Sequence, residues 1–214
     1  MDGLKIFIAV PCMDMVAAGF AESLATLEKQ GFNCMISFLC GSLIYDARNR
    51  LALQALNEEA DYVMWFDSDM VFEPDTMLRL YETLEREDAD IVSGLYFRRV
   101  PPYTPIGFPK FDVVDGEAVF TEYDGELTGV HEVDAIGFGC VLMRADALFH
   151  VFARFKDAFS PIAKVGEDLS FCWRAKQLGK KILLDTDVKC GHVGHLIVGE
   201  KLYKAYSQKT EVEK

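Results

Sequence analysis

Two features are missing from this 214-residue sequence: long hydrophobic runs and paired metal-binding cysteines. The six cysteines include no C-x-x-C pair and no other metal-ligand spacing, and several lie in apolar stretches. This pattern favours buried free thiols in a reducing compartment. No stretch approaches the length of a membrane span, and the first ten residues are too short and too close to acidic residues for a signal peptide. We therefore expect a soluble, cytoplasmic protein.

Positive charge is also scarce. The chain has 22 Lys and Arg residues against 34 Asp and Glu residues, which gives a formal net charge of −12. This balance argues against a nucleic-acid groove or an anionic membrane as the default partner. Half of the residues are hydrophobic, so a chain of this length can bury the core of one large domain.

The first hundred residues alternate between apolar strand patterns and amphipathic helix patterns. The predicted strands are Leu4–Val10, Phe32–Leu39, Tyr62–Phe66 and Asp90–Tyr96. The predicted helices between them are Ala17–Gln30, Tyr45–Ala60 and Pro74–Arg86. The strands are apolar on both faces, which predicts a parallel sheet covered by helices on both sides.

The second half of the sequence is more irregular. The segment "RRVPPYTPIGFP" holds four of the seven prolines, which excludes long regular structure there. The patterns after it predict a β-hairpin over Phe111–Thr128, a mixed strand region over Val133–Met143, helices over Ala145–Phe155 and Glu167–Leu178, and a strand over Lys181–Leu184. Without repeats or low-complexity linkers, the sequence predicts one domain over residues 1–206 and a polar tail over 207–214.

Two carboxylates follow the third predicted strand in "YVMWFDSDMVFEPD". Asp67 and Asp69 are one residue apart, and charges so close together repel unless a cation or a cation-carrying ligand lies beside them. A polar turn is the simpler interpretation, because Asp and Ser are common turn residues. Ligands of open parallel sheets bind at the carboxyl ends of the strands, where Pro11 also lies, and this position favours a site.

One enzyme class with such a motif is the haloacid-dehalogenase-like phosphatases. The stretch "DSDMV" satisfies their D-x-D-x-[TV] pattern, in which the first Asp, here Asp67, is a phosphoryl-accepting nucleophile. Their motif normally ends the first strand, whereas a whole strand-helix-strand-helix unit precedes it here. Their later acids follow a strand, whereas Glu167 and Asp168 open a predicted helix.

A second class fits more of the chain. The segment "GEDLSFCWRAKQLGKKILLDTDVKCGHVG" (Gly166–Gly194) resembles the closing segment of family 2-like nucleotide-sugar glycosyltransferases. "ARNRL", "DADIVSGLYFRR" and "VDAIGFGCVLMRADAL" fit the same family in the same order. The resemblance implies the Rossmann-like α/β GT-A fold, with a mostly parallel central sheet, helices on both faces and a small β-hairpin region in the C-terminal half. Residues 1–97 would then form the nucleotide-binding half, and residues 98–206 the acceptor and catalytic half.

The resemblance also implies a divalent cation, Mn²⁺ or Mg²⁺, that bridges the donor diphosphate. Asp69 would ligate the metal and His192 would complete the metal site. Asp67 would reach the nucleotide ribose or a metal-bound water, Arg48 would lie at the nucleotide or diphosphate, and Pro11 would shape the base pocket. The alternative for His192 is a structural histidine.

Asp168 is the candidate general base of an inverting transfer, which needs a carboxylate to remove the proton of the acceptor hydroxyl. Its place in the first turn of a helix predicts that the helix dipole keeps it ionised. The alternative is simple helix capping, which is also a plausible use of Glu167.

The sequence departs from the family in two places. Many members carry an acidic cluster after the second strand that contacts the base, but "FLCGSLIYD" has no acid before Asp46, so uracil and guanine both stay open and we favour UDP over GDP. The Q-x-x-R-W motif of processive synthases is absent. We therefore expect one sugar to be moved to a hydroxyl of a saccharide, small molecule or macromolecule.

The acceptor is expected at the loop Val100–Pro109 and the segment Leu196–Tyr206, because acceptor specificity tends to lie on loops. A nucleic-acid acceptor would need a basic track that the charge balance does not indicate. A binding module that kept the fold and lost catalysis is the remaining alternative.

Overall fold

The structure is a computed structural model, and it describes residues 3–29, 31–194 and 197–205. In the first half, the strands are β1 (Leu4–Cys12), β2 (Phe32–Cys40), β3 (Tyr62–Phe66), β4 (Met70–Val71) and β5 (Ile91–Leu95). In the second half, they are β6 (Gly107–Phe108), β7 (Lys110–Val114), β8 (Glu117–Thr121), β9 (Val130–Glu132), β10 (Ala135–Ile136), β11 (Cys140–Arg144), β12 (Ile182–Lys189), β13 (Gly191–Val193) and β14 (Ile197–Val198). The helices are α1 (Ala18–Thr26), α2 (Ile44–Asn57), α3 (Thr76–Arg86), α4 (Ala145–Phe155) and α5 (Glu167–Lys176).

A seven-stranded sheet in the order β2-β1-β3-β11-β5-β12-β9 forms the centre of the molecule. Strands β2, β1, β3, β5 and β12 run in one direction, while β11 and β9 run in the opposite direction. The prediction of a mostly parallel α/β sheet is confirmed. The predicted hairpin is also present as β7 paired with β8.

Helices cover both faces of the sheet, because successive side chains of each central strand point to opposite sides. In β3, Val63 and Trp65 pack into the core beneath α2, α4 and α5, while Met64 and Phe66 pack into the core beneath α1 and α3. All five residues of this strand are buried. The resulting layers leave the carboxyl ends of the parallel strands as the edge on which a ligand can bind.

Several predicted boundaries differ from the structure. The strand at the N-terminus continues through Pro11 to Cys12; its pairing with β3 ends at Ala9, so the missing N–H of the proline costs no hydrogen bond on that side. Helix α1 ends at Thr26, because the backbone beyond it turns to donate from Glu28 N to Pro74 O at 2.9 Å. The predicted strand at 181–184 extends to Lys189.

The two halves of the sequence contribute to the same sheet, since β11 lies between β3 and β5. Among the helices within the described ranges, none combines the length and apolar character needed to cross a bilayer. The predicted polar tail over 207–214, together with Gln30, Leu196 and Tyr206, lies outside the described residues.

Candidate active site

A cavity of about 470 Å³ opens at the carboxyl edge of the sheet. Its lining includes every residue that the sequence nominated for the site: Pro11, Arg48, Asp67, Asp69, Asp168 and His192. These residues come from the ends of β1 and β3, the first turns of α2 and α5, and the short strand β13. The structure therefore brings together residues that are up to 181 positions apart, while their individual roles stay predictions.

Strand pairing places His192 beside Asp69. β13 pairs with β4 so that His192 lies opposite Met70, and Val193 N donates to Asp69 O at 2.7 Å. The imidazole Nδ1 lies 2.9 Å from Phe97 O, and because a carbonyl only accepts, Nδ1 carries the hydrogen. The other ring nitrogen, Nε2, lies 3.6 Å from Asp69 Oδ1. Metal-binding histidines commonly show this arrangement, in which the second ring nitrogen donates to a carbonyl.

These donors fit a divalent cation. Asp69 offers carboxylate oxygens and His192 an imidazole nitrogen, a set that suits Mn²⁺. Arg99 also lies here, with Nη1 2.7 Å from Asp69 Oδ2. Although burial opposes ionisation, His192 and Arg99 lower the pKa of Asp69, so the carboxylate is charged and able to bind a cation. Within the described part of the chain, no group of three or more His, Cys, Asp and Glu side chains could hold a metal, so the remaining ligands would have to come from substrate and water.

Arg48 links the D-x-D segment to the start of α5. Its Nη2 lies 2.7 Å from Asp67 Oδ1 and its Nε lies 3.0 Å from Glu167 Oε1. The guanidinium is 2 % exposed and lies 5.7 Å from the ring centroid of Trp65 and 5.3 Å from that of Phe138. Two carboxylates thus balance one buried cation, as buried charges require. Glu167 is a partner of Arg48 here, beyond the capping role considered from sequence.

Burial dominates the ionisation of the other acids. It raises the pKa of Asp67 in spite of the nearby Arg48. Burial and the adjacent Glu167 charge raise the pKa of Asp168 to about 7. The helix terminus was expected to keep Asp168 ionised, but desolvation and the like charge of Glu167 oppose this and leave the carboxyl only partly ionised at neutral pH. A carboxylate with a pKa near neutrality is nevertheless well matched to proton abstraction.

Gly166 makes room for Asp168 at the beginning of α5. A Cβ atom at Gly166 would lie 2.7 Å from Asp168 Oδ1, closer than real Cβ contacts allow. The same oxygen accepts a hydrogen bond from Leu169 N at 2.8 Å. The missing side chain of residue 166 therefore sets where the carboxylate lies.

Other residues of the quoted motifs have structural roles. Asn49 donates to Asp157 Oδ1 at 3.0 Å and accepts from the backbone N–H groups of Ala158 and Phe159, which holds the loop after α4 against α2. Arg98 pairs with Glu122 at the surface, whereas its neighbour Arg99 lines the cavity. Tyr96 and Phe138 line the cavity but were not among the residues nominated for the site, and Ile106, from the loop expected at the acceptor, also lines it. The two glycines flanking Phe138 were the sequence signal for this part of the site, because glycines often mark a close approach to the backbone.

Comparisons with known proteins agree with this architecture. A family model described as Anp1, a GT-A-like mannosyltransferase family, matches residues 41–113, less than half of the chain. No curated protein matches the sequence significantly.

Solved structures extend the likeness to most of the chain. The A197 protein from STIV is 19% identical, with a TM-score of 0.66 over 89% of this chain and 86% of that one. TarS 1-349 from S. aureus, solved in complex with UDP-GlcNAc, is 16% identical, with a TM-score of 0.54 over 86% of this chain. This chain spans 56% of that TarS fragment. The protein therefore has the fold of the GT-A glycosyltransferases.

Proposed function

We propose that this protein is a metal-dependent enzyme that moves one sugar from a nucleotide-sugar donor to an acceptor hydroxyl, with inversion at the anomeric carbon. The observation that supports the proposal most is the shared cavity, which is lined both by Asp69 and His192, the candidate cation ligands, and by Asp168, the candidate base. This combination serves both halves of a glycosyl transfer, since one part holds the leaving group and the other activates the acceptor.

Each residue would have a defined part in the reaction. Pro11 would border the base, and Arg99 and Arg48 would face the negatively charged diphosphate. A cation held by Asp69 and His192 would supply Lewis-acid stabilisation of the diphosphate. Asp168 would take the proton from the acceptor hydroxyl as that oxygen bonds to the anomeric carbon. The bond from that carbon to the diphosphate oxygen would break, and the nucleoside diphosphate would leave with the electron pair.

The donor is proposed to be a UDP-sugar in preference to a GDP-sugar. UDP-GlcNAc in the TarS structure supports a uridine donor, and the Anp1 match keeps mannose among the candidate sugars. The Val100–Pro109 loop begins one residue after Arg99, which supports placing the acceptor there. A saccharide, a small molecule or a macromolecule could supply its hydroxyl.

Calorimetric titration with UDP, GDP and their sugar conjugates, with and without Mn²⁺, tests the proposal directly. Binding of one nucleotide in the micromolar range only when Mn²⁺ is present is the expected result. Asp69→Ala should abolish this metal-dependent binding, because it removes the carboxylate beside His192 Nε2. Failure of the wild-type protein to bind any of these nucleotides in Mn²⁺ would refute the assignment and return the phosphatase and the non-catalytic module to consideration.

Gly166→Ala should lower kcat while nucleotide binding is kept. The new Cβ occupies space within 2.7 Å of Asp168 Oδ1, so the carboxylate has to rotate away from its position. Displacement of a catalytic group by about 1 Å can cost on the order of 10²-fold in rate. Gly19→Ala is the control, since Gly19 lies in helix α1 outside the cavity lining and a Cβ there would lie 3.1 Å from Val71 Cγ2, the end of a side chain. Equal kcat values for the two variants would show that the position of Asp168 does not matter.

The pH dependence of kcat/KM should report the ionisation of Asp168. A general base acts only when deprotonated, and burial with the adjacent Glu167 raises the pKa of Asp168 to about 7. We therefore expect kcat/KM to rise about tenfold per pH unit below this value and to level off above it. Rates measured from pH 5 to 9 check this, and a profile that is flat through neutrality would exclude Asp168 as the base.

A further inference from the structure

Tyr96 lines the cavity and fills a slot that two glycines create. It follows the last residue of β5, and its side chain is 3 % exposed. A Cβ at Gly137 would lie 2.1 Å from the Tyr96 hydroxyl oxygen, and a Cβ at Gly139 would lie 2.9 Å from ring atom Cζ. The "GFG" segment therefore admits the phenol ring only because both positions lack side chains.

The hydroxyl group of Tyr96 accepts one hydrogen bond but donates none within the described structure. Its oxygen accepts a hydrogen bond from Gly139 N at 3.0 Å. Across the described ranges of the chain, no atom accepts the hydroxyl hydrogen in return. A buried donor without an acceptor is costly, so native proteins rarely keep one unless water or a ligand completes it. Tyr96 lines the cavity, and a ligand there can supply the missing acceptor.

The surroundings of Tyr96 indicate which part of the donor would lie there. Its ring packs edge-on against His192 with centroids 5.6 Å apart, next to the proposed cation position. A tyrosine phenol has an ordinary pKa of about 10, so at neutral pH it carries a hydrogen that it can donate. In a glycosyl transfer, the transferred sugar lies between the diphosphate that leaves and the acceptor hydroxyl that the general base deprotonates.

We propose that Tyr96 donates a hydrogen bond to a hydroxyl oxygen of the transferred sugar, which makes the pocket of Tyr96, Gly137 and Gly139 a sugar-recognition subsite. This assignment rests on the proposed function. A second buried donor, Nη1 of Arg48, also has no hydrogen-bond partner within the described structure, and it adds to the unmet donor capacity of this cavity. Sugars are rich in hydroxyl oxygens and match such a wall, whereas a purely apolar ligand does not.

Tyr96→Phe provides the test, with titration of the nucleoside diphosphate and of its sugar conjugate in Mn²⁺. The variant should bind the sugar conjugate about 3- to 10-fold more weakly, the range expected for one hydrogen bond, and should bind the nucleoside diphosphate like the wild type. Among donors that each lack one sugar hydroxyl, one should bind wild type more weakly and show no further loss with Tyr96→Phe. Tyr81→Phe, which removes a hydroxyl in α3 away from the cavity, should change neither affinity.

The outcomes separate this inference from the proposed function. Equal weakening of both ligands would mean that Tyr96 only holds Gly139 in place, and unchanged affinities would mean that the hydroxyl contacts no sugar; either result overturns the inference while the transferase proposal stands. If the wild-type protein binds neither ligand, the proposed function fails and the sugar subsite fails with it. Thermal unfolding of both variants verifies that they fold.

Discussion

Replacement of Asp168 by Asn should stop sugar transfer and leave donor binding nearly intact. The amide has the same shape as the carboxylate but cannot take a proton from the acceptor hydroxyl. General-base catalysis contributes about 10²- to 10⁴-fold, so kcat should fall by that factor. The dissociation constant of the nucleotide in Mn²⁺ should change little, because Asp69 and His192 hold the proposed cation position and Asp168 does not.

Asp146→Asn is a suitable control for this experiment. Asp146 lies in the first turn of α4, as Asp168 lies in the first turn of α5, but it is exposed and does not line the cavity. The control should keep the wild-type rate. A kcat for Asp168→Asn within a fewfold of the wild type, or a parallel loss of nucleotide binding, would contradict the role of Asp168 as base.

Asp168→Asn should also be more stable than the wild type above neutral pH. The folded-state pKa of Asp168 is about 7, whereas an unfolded Asp has a pKa near 4. Because the folded pKa is raised, protonation favours the fold, and this contribution is complete below about pH 4 and is lost as pH rises through about 7. Thermal unfolding should therefore show a higher Tm for Asp168→Asn at pH 8 and little difference at pH 4.

The first half of the fold was accessible from sequence because its strands are apolar on both faces. Tyr62–Phe66 has the predicted bounds and is buried throughout. The place of β11 between β3 and β5, antiparallel to both, was not predicted. An apolar run shows that a strand is buried but does not show which neighbours it pairs with or in which direction, since these depend on contacts distant in sequence.

In the candidate site too, the features that depend on local sequence could be predicted and those that depend on distant contacts could not. The location of Asp67 and Asp69 at the sheet edge follows from their place directly after a strand, because parallel strands end at a common edge. The ion pair of Arg48 with Glu167 joins residues 119 positions apart, and no local pattern indicates it. Tyr96 ends a predicted strand in the sequence; it is buried and also lines the cavity, and sequence alone does not distinguish such a residue from one that only packs in the core.

Arg48→Met should destabilise the protein strongly. Methionine can fill the space between Trp65 and Phe138, but it leaves Asp67 and Glu167 without their shared cation. Breaking a buried ion pair by removing one partner costs about 3 to 5 kcal/mol, and the lower end applies because both carboxylates keep some solvent contact. For a chain of this size, a loss of about 3 kcal/mol lowers Tm by about 6 to 12 °C. Thermal or urea unfolding measures the change.

Two further variants separate charge from packing in this effect. Arg50→Met removes an exposed arginine two residues further along the same helix, and its free energy of unfolding should change by less than about 0.5 kcal/mol. Glu167→Gln added to Arg48→Met should recover part of the lost stability, because it removes one of the two carboxylates left without a counter-charge. If the double variant is no more stable than Arg48→Met alone, lost packing explains the defect, and Arg48 does not act as the electrostatic link between the D-x-D segment and the start of α5.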